Sequence, residues 1–170
     1  RMTESGIIVK FLLLGAALLA GCASYDGRGL IPGKSTAAEV EQLMGPPAEK
    51  ISEAGDSVWF YPRGPMGRQT YAVRVAPDGV MRAIEQRLTM ENMQKLVAGE
   101  TTAAQVRALF GPPSRVTRLD RQERDVWEYR MKNQIDVDYS LFVQFSYDGI
   151  LREALFLRDP KYDVGGGGYR

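Results

Sequence analysis

Two carboxylates, Asp136 and Asp138, lie two residues apart on a predicted strand, and acid–base or metal chemistry often uses such a pair. The chain of 170 residues has no histidine and one cysteine, so it lacks the commonest general base and the commonest metal ligand. Hydroxyls such as Ser35 and Ser114 therefore have no histidine to activate them. We expect no catalytic residues and no metal site, and we interpret the two aspartates as a solvated strand edge.

The single cysteine, Cys22, follows a segment typical of a secreted lipoprotein. Lys10 precedes the uncharged apolar run 11–20, which is too short to cross a hydrocarbon core of about 30 Å and fits a signal peptide. The run ends in Leu19-Ala20-Gly21-Cys22, which resembles a bacterial lipobox. That resemblance implies cleavage between Gly21 and Cys22, a diacylglycerol thioether on Cys22 and an N-acyl chain on its amine, with no other cofactor. The alternative is a free cysteine buried in a core helix.

An internal repeat organises the rest of the chain. Residues 33–47 and 99–113 are identical at nine of fifteen positions, and both copies lead to an Asp-Gly pair, at 78–79 and 148–149. We therefore expect a signal peptide, a lipidated tether, two repeats and a flexible Gly-rich tail, over residues 1–21, 22–30, 31–87, 88–158 and 159–170. The net charge of +1 gives no reason to expect a nucleic-acid partner.

The two repeats predict the same order of elements. A capping-box pair and a helix-ending glycine recur at Thr36, Glu39 and Gly45 and at Thr102, Gln105 and Gly111. Alternating apolar residues on both sides of each Asp-Gly predict a hairpin. The fold class is therefore predicted as α+β, with short helices packed on a three-stranded antiparallel sheet in each repeat. Residues 89–97 predict one further helix before the second repeat.

Strand alternation identifies the candidate binding residues. Phe142 and Gln144 lie on the face of their strand opposite the one expected to meet the helices, and Arg74 has the corresponding position in the first repeat. We interpret these three residues as candidates for binding a partner. Trp59 and Trp127 have the residue type of binding anchors, but their matching positions favour a core role. The strand 150–157 is apolar on both faces, so we expect the other repeat or a partner to cover it.

A family resemblance rests on a motif that occurs twice within residues 31–158. The motif is Gly-x-[Ser/Thr]-Thr-x-x-x-Val-x-x-Leu-x-Gly-Pro-Pro, followed by an aromatic Trp-x-Tyr strand and by Asp-Gly before the last strand. It resembles the SmpA/OmlA (BamE-like) family of small outer-membrane lipoproteins. The resemblance implies two helices on a three-stranded antiparallel sheet and a role beside the machinery that assembles β-barrels. The beta-lactamase inhibitor protein is similar to this fold in tandem, with a concave sheet that grips its target.

We therefore expect a non-enzymatic lipoprotein on the periplasmic face of the outer membrane of a Gram-negative bacterium. It would act as an accessory or scaffold subunit in outer-membrane protein assembly or a related envelope complex. Its partners would be the membrane, through Cys22, and one or more proteins, with no small-molecule substrate. The alternative is an inhibitor-like module that clasps a periplasmic enzyme through a surface with Arg74, Phe142 and Gln144. An enzyme or a small-ligand carrier is a third hypothesis, which requires a closed pocket with convergent polar groups.

Overall fold

The computed structural model describes residues 26–63, 68–132 and 137–158. Eight strands form two four-stranded antiparallel sheets, with strand orders β1-β2-β3-β4 and β5-β6-β7-β8. The elements in chain order are α1 (Ala37–Met44), β1 (Glu49–Glu53), β2 (Asp56–Pro62), β3 (Thr70–Val75), β4 (Met81–Gln86), α2 (Met90–Met93), α3 (Ala103–Phe110), β5 (Arg115–Leu119), the 3-10 turn Asp120–Gln122, β6 (Arg124–Lys132), β7 (Asp138–Ser146) and β8 (Leu151–Arg158).

The prediction of a three-stranded sheet in each repeat is wrong, because both sheets have a fourth strand soon after Gly-Pro-Pro. The added strands are β1 and β5, each at the edge of its sheet. Every residue of β5 is exposed, and β1 has the sequence Glu-Lys-Ile-Ser-Glu, so neither strand has a clear apolar alternation. The turn from β1 to β2 is Ala54-Gly55, with φ of 51° and 86°. This turn lacks the Asp-Gly pair that marks the later hairpins, and a non-glycine residue such as Ala54 rarely has a positive φ. The sequence therefore does not predict the turn. The described chain is mainly β, with three short helices, so the predicted α+β class is also wrong.

Local hydrogen bonds confirm the predicted helix starts. In α1 the Glu39 backbone N–H donates to Thr36 Oγ1 at 3.3 Å, and Glu39 Oε2 accepts from the Thr36 backbone N–H at 2.7 Å. Thr102 and Gln105 make the same two bonds before α3, at 3.2 and 2.8 Å. Each reciprocal pair satisfies two backbone donors that the helix itself leaves free. Both helices therefore begin where their own side chains fix the first turn.

The glycines that end these helices do not have the left-handed helical conformation of a common helix cap. Gly45 has φ 81° and ψ −174°, and Gly111 has φ 80° and ψ −163°. The positive φ typical of a helix-ending glycine is present, but ψ is extended rather than left-handed helical. This combination lies in a region that essentially only glycine occupies. Each helix therefore turns directly into an extended segment that leads to the first strand of its sheet.

The repeat extends to tertiary hydrogen bonds. In both copies the helix N-terminus and the loop before it bond to the Asp-Gly hairpin of the same sheet. The equivalent bonds, all 2.8 Å long, are Ala37 N to Gly79 O and Gly33 N to Met81 O in the first copy, and Ala103 N to Gly149 O and Gly99 N to Leu151 O in the second. Each helix is thereby fixed to the hairpin that ends its own unit. We call the unit of α1 and β1–β4 the first unit, and that of α2, α3 and β5–β8 the second unit.

Each helix covers one face of its own sheet and closes a core. Val40 and Met44 of α1 pack with strand residues that include Trp59, Val73 and Met81. Val106 and Phe110 of α3 pack in the second core, whose strand residues include Tyr129, Leu141, Val143 and Phe145. The helix predicted over 89–97 is only four residues long, and Val97, at the end of the predicted range, is 45% exposed. That part of the prediction is wrong, although Met93 and Leu96 do pack against the second core.

The second unit also contacts the outer face of the first sheet, the face opposite α1. Val58 and Phe60 on that face are 0% exposed, and Ala72 is 2% exposed. A methyl group placed on Gly111, at the end of α3, would lie 2.7 Å from the Phe60 ring. Arg107 Nε of α3 also bonds to both carboxylate oxygens of Glu49 in β1, at 2.7 and 2.9 Å. The C-terminal end of α3 thus packs on two sheets at once.

Candidate interaction surface

The second sheet has an outer face that corresponds to the covered outer face of the first sheet. Residues paired directly across antiparallel strands share one face. Phe142 pairs with Glu128 on one side and Leu155 on the other, and Gln144 lies between Val126 and Glu153. We call this surface the open face and define it by Val126, Glu128, Phe142, Gln144, Leu155 and Leu157.

The open face differs from its counterpart mainly in exposure. All six of its defining residues are half-buried or exposed, and Leu157 is 51% exposed. Their counterparts Val58, Phe60 and Ala72 on the first sheet are essentially inaccessible, and Gly111 at the end of α3 lies against the Phe60 ring. Within the described residues, nothing takes the place of α3 on the second sheet. An apolar sheet surface that is left accessible is typical of an interaction site.

Charged and polar groups surround the apolar part of the open face. The Glu128 carboxylate lies 3.5 Å from Arg130 Nε and 3.8 Å from Arg115 Nε. Ser140 Oγ lies 3.4 Å from the same carboxylate. Arg115 is on the edge strand β5, and its side chain is 68% exposed. The face therefore combines an apolar centre with an accessible positive charge at its edge, an arrangement that protein interfaces often have.

The three candidate binding residues do not lie on one surface. Phe142 and Gln144 lie together on the open face, as the strand alternation predicts. Arg74 lies on the first sheet, where its guanidinium bonds to Glu53 at 3.0 Å and lies 3.6 Å from Asp56. Its side chain is half-buried and already holds two carboxylates. The open face thus contains two of the three candidates, and Arg74 contributes to a charge network elsewhere.

Sequence reasoning missed Arg115 at the edge of the open face, and it identified the β8 part only as a strand that something should cover. Arg115 lies on β5, a strand that the sequence does not predict. Leu155 and Leu157 lie on β8, whose apolar residues on both faces are the one signal that pointed to a covered surface. Pairing β8 with β7 places both leucines beside Phe142 and Ser140. The signal was thus present for β8 and absent for β5.

The other residues that could take part in catalysis or binding have structural roles in the described chain. Trp59 is 7% exposed and its indole N–H donates to Ser57 Oγ at 2.8 Å, while Trp127 contacts the Phe145 ring edge-on at 4.8 Å, which confirms the core role of both tryptophans. Asp138 is buried and ion-paired with Arg68 of the first unit, so the interpretation of this aspartate as part of a solvated strand edge is wrong. Asp136 lies outside the described residues. Among the described residues, no three His, Cys, Asp or Glu side chains converge as a metal site.

Two buried tyrosines have shifted ionisation but no reactive neighbour. Burial raises the pKa of the Tyr129 hydroxyl well above its usual value, and this hydroxyl donates to the Gly111 carbonyl at 3.0 Å. Burial, with a smaller contribution from the Glu41 charge, likewise raises the pKa of Tyr61. A raised pKa keeps both hydroxyls neutral, so they act as core residues and not as bases.

Comparison with known proteins gives no family for this chain. No protein-family model matches it, and no curated protein matches it. One similar solved structure is a DUF4309 family protein, YjgB, from Bacillus subtilis, at 19% identity and a TM-score of 0.31, over 78% of this chain and 84% of that one. The expected membership of the SmpA/OmlA (BamE-like) family is therefore wrong: no comparison supports it, and each unit has four strands where that fold has three.

The predicted lipid anchor falls in a part of the chain that the structure does not describe. Gly21 and Cys22, like the rest of residues 1–25, lie outside the described residues. No helix among the described residues is long and apolar enough to span a bilayer.

Proposed function

We propose that this protein is a non-enzymatic, lipid-anchored protein of the bacterial cell envelope that binds a protein partner through the open face of its second sheet. The observation that carries the proposal is the contrast between two equivalent surfaces. Phe60 is fully buried with Gly111, at the end of α3, against its ring, and Val58 and Ala72 beside it are also buried, whereas Phe142 is only partly buried and Leu157 is 51% exposed. Burying a side chain such as Phe or Leu stabilises an interface by about 1.5–3 kcal/mol, so a partner gains free energy from covering this face.

The anchor half of the proposal rests on the sequence of residues 10–24 alone. The Leu-Ala-Gly-Cys run supports acylation of Cys22, and two acyl chains suffice for stable membrane attachment. No Asp follows Cys22, which favours the outer membrane with the folded units in the periplasm. The resemblance that pointed to β-barrel assembly has been overturned, so we propose an accessory or scaffold role in an envelope complex and do not name that machinery.

The inhibitor-like alternative has less support. It requires one concave sheet that displays Arg74, Phe142 and Gln144 together. The two sheets are separate, and Arg74 is held by Glu53 and Asp56 on the first of them. No specific observation therefore favours a clasp around an enzyme.

Two measurements test the two halves of the proposal separately. For the anchor, Cys22→Ser should move the protein from the membrane fraction to the soluble fraction of envelopes, and continued membrane fractionation would contradict the anchor. For the open face, a photo-crosslinking residue at position 157 should give a specific protein adduct in intact envelopes. The matched control is position 97, because Val97 and Leu157 have similar exposure, 45% and 51%. Equal yields at both positions would contradict the proposed surface.

A further inference from the structure

The contact between the two units shows how a helix end of this protein docks on an outer sheet face. The end of α3 places Arg107 against Glu49 and brings Gly111 within van der Waals distance of Phe60. Because the two units are repeats, each carries, within the described residues, one half of the same contact unused. The first unit has a helix end, at α1, with no preceding sheet to lie on among the described residues. The second unit has an outer face that no following helix covers in that part of the chain.

We propose that the partner of the open face is a second copy of this chain, docked head to tail. The α1 helix of one copy would lie on the second sheet of the next, as α3 lies on the first sheet within one chain. This inference rests on the proposed function, since it names the partner for the same open face. The proposed function requires only some protein partner, and this inference identifies that partner as a second copy of the chain.

Charge complementarity supports a second copy as the occupant. The residue of α1 that corresponds to Arg107 is Glu41, and the residue of β5 that corresponds to Glu49 is Arg115. The ion pair between Arg107 and Glu49 therefore has a counterpart in Glu41 and Arg115, in which the helix residue is negative and the strand residue is positive. Both side chains are accessible, at 46% for Glu41 and 68% for Arg115. Their present neighbours are an exposed lysine and a more distant carboxylate: Lys50 lies 3.0 Å from Glu41, and Glu128 lies 3.8 Å from Arg115.

Space at the free helix end also fits the docking. Gly45 has nearly the same φ and ψ as Gly111, but nothing lies within 4 Å of a methyl group placed on it. It therefore offers a small, open surface where Gly111 makes its close approach to the first sheet. On the receiving face, Glu128 stands where the first sheet has Phe60, Leu155 stands where it has Glu85, and Leu157 stands where it has Arg87. These two leucines give the open face apolar surface at positions where its internal counterpart is charged.

The symmetry of this contact determines the kind of assembly. The two surfaces that meet are different, so the contact is heterologous, and every added copy presents a new free helix end and a new open face. Such a contact builds a row of copies and not a closed two-fold dimer. Anchoring to one membrane would raise the effective concentration of the two surfaces, so a contact that is weak in solution can suffice there.

The test uses the chain from residue 22 with Cys22→Ser, studied by sedimentation velocity over a broad concentration range. The parent protein should form a concentration-dependent series of oligomers. Glu41→Arg and Arg115→Glu should each weaken association by at least about tenfold, because like charges would then meet at the contact. Glu100→Arg and Arg121→Glu are the matched controls, since both residues are exposed on turns, and they should associate like the parent.

Mixing the two charge variants provides the decisive result. In the mixture, position 41 of the Glu41→Arg variant is positive and meets position 115 of the Arg115→Glu variant, which is negative. The unchanged Glu41 of the second variant likewise meets the unchanged Arg115 of the first, so association should return. Recovery also shows that both variants are folded. A parent protein that stays monomeric throughout, single variants that associate like the parent, or a mixture that stays monomeric would each overturn the proposal.

The crosslinking experiment at position 157 separates this inference from the proposed function. An adduct between two copies of the chain in intact envelopes supports both. An adduct only with a different protein leaves the proposed function standing and overturns the second copy as the occupant. The lack of any specific adduct overturns both.

Discussion

The Gly111→Ala substitution tests whether the end of α3 packs tightly on the first sheet. The Gly45→Ala substitution is its matched control. Both glycines share φ near 80° and an extended ψ, and an alanine held in that region costs about 1–3 kcal/mol of backbone strain. Only the Gly111 methyl would also meet the Phe60 ring, at 2.7 Å, and Thr70 Cγ2, at 3.1 Å. Overpacking of this kind costs a further 1–3 kcal/mol or so. We therefore expect Gly45→Ala to destabilise by about 1–3 kcal/mol and Gly111→Ala by about 2–6 kcal/mol.

Urea unfolding, followed by tryptophan fluorescence, measures both free energies because Trp59 and Trp127 report on one core each. A double-mutant cycle with Phe60→Leu isolates the contact: in that background the extra cost at Gly111 should shrink, while the cost at Gly45 should not change. If the two glycine variants differ by less than about 0.5 kcal/mol, the end of α3 does not press on the first sheet and the reasoning is refuted.

Three further predictions concern the caps, the second core and alkaline stability. Thr36→Ala and Thr102→Ala should each lower the free energy of unfolding by about 0.5–2 kcal/mol in urea titrations, with serine restoring most of the loss; no change would contradict the capping boxes. Phe110→Ala should cost about 3–5 kcal/mol in the same assay, because the ring is fully buried, and a cost below 1 kcal/mol or so would contradict that burial. Burial raises the pKa of Tyr129 and Tyr61 in the folded chain, so the unfolded chain loses these protons first: stability should be full below about pH 10 and fall above it. Tyr129→Phe should flatten this loss in pH-dependent urea midpoints, and an unchanged slope would contradict the assignment.

Elements that depend on neighbouring residues were predictable from the sequence. Thr36 and Glu39 cap a helix through their own side chains, and Asp-Gly at 78–79 sets a hairpin, wherever the unit lies in the fold. The strands β1 and β5 were not predictable, because they are edge strands stabilised by backbone pairing on one side and have little apolar alternation. The family resemblance failed for the same reason. Its motifs specify helix ends and central strands, and do not specify the number of strands.

The candidate site was likewise predictable only where the local sequence pattern decides the position of a residue. Alternation in β7 correctly places Phe142 and Gln144 on the face away from the helices. The same alternation in β3 places Arg74 on the corresponding face, but cannot say that the second unit covers part of the first sheet and that Glu53 and Asp56 hold the guanidinium. Which of two equivalent faces stays accessible is decided by how the repeats pack, and that packing depends on residues far apart in the chain, such as Arg107 and Glu49.

The contact between Gly111 and Phe60 sets an order of events as the chain emerges, N-terminus first, from the ribosome or across a membrane. Phe60 emerges before Gly111 does, so the first unit cannot make this contact alone. Until the end of α3 arrives, the outer face of the first sheet presents the Phe60 ring without that cover. Any chaperone that acts on this chain therefore has an exposed aromatic β surface to protect before the second unit folds.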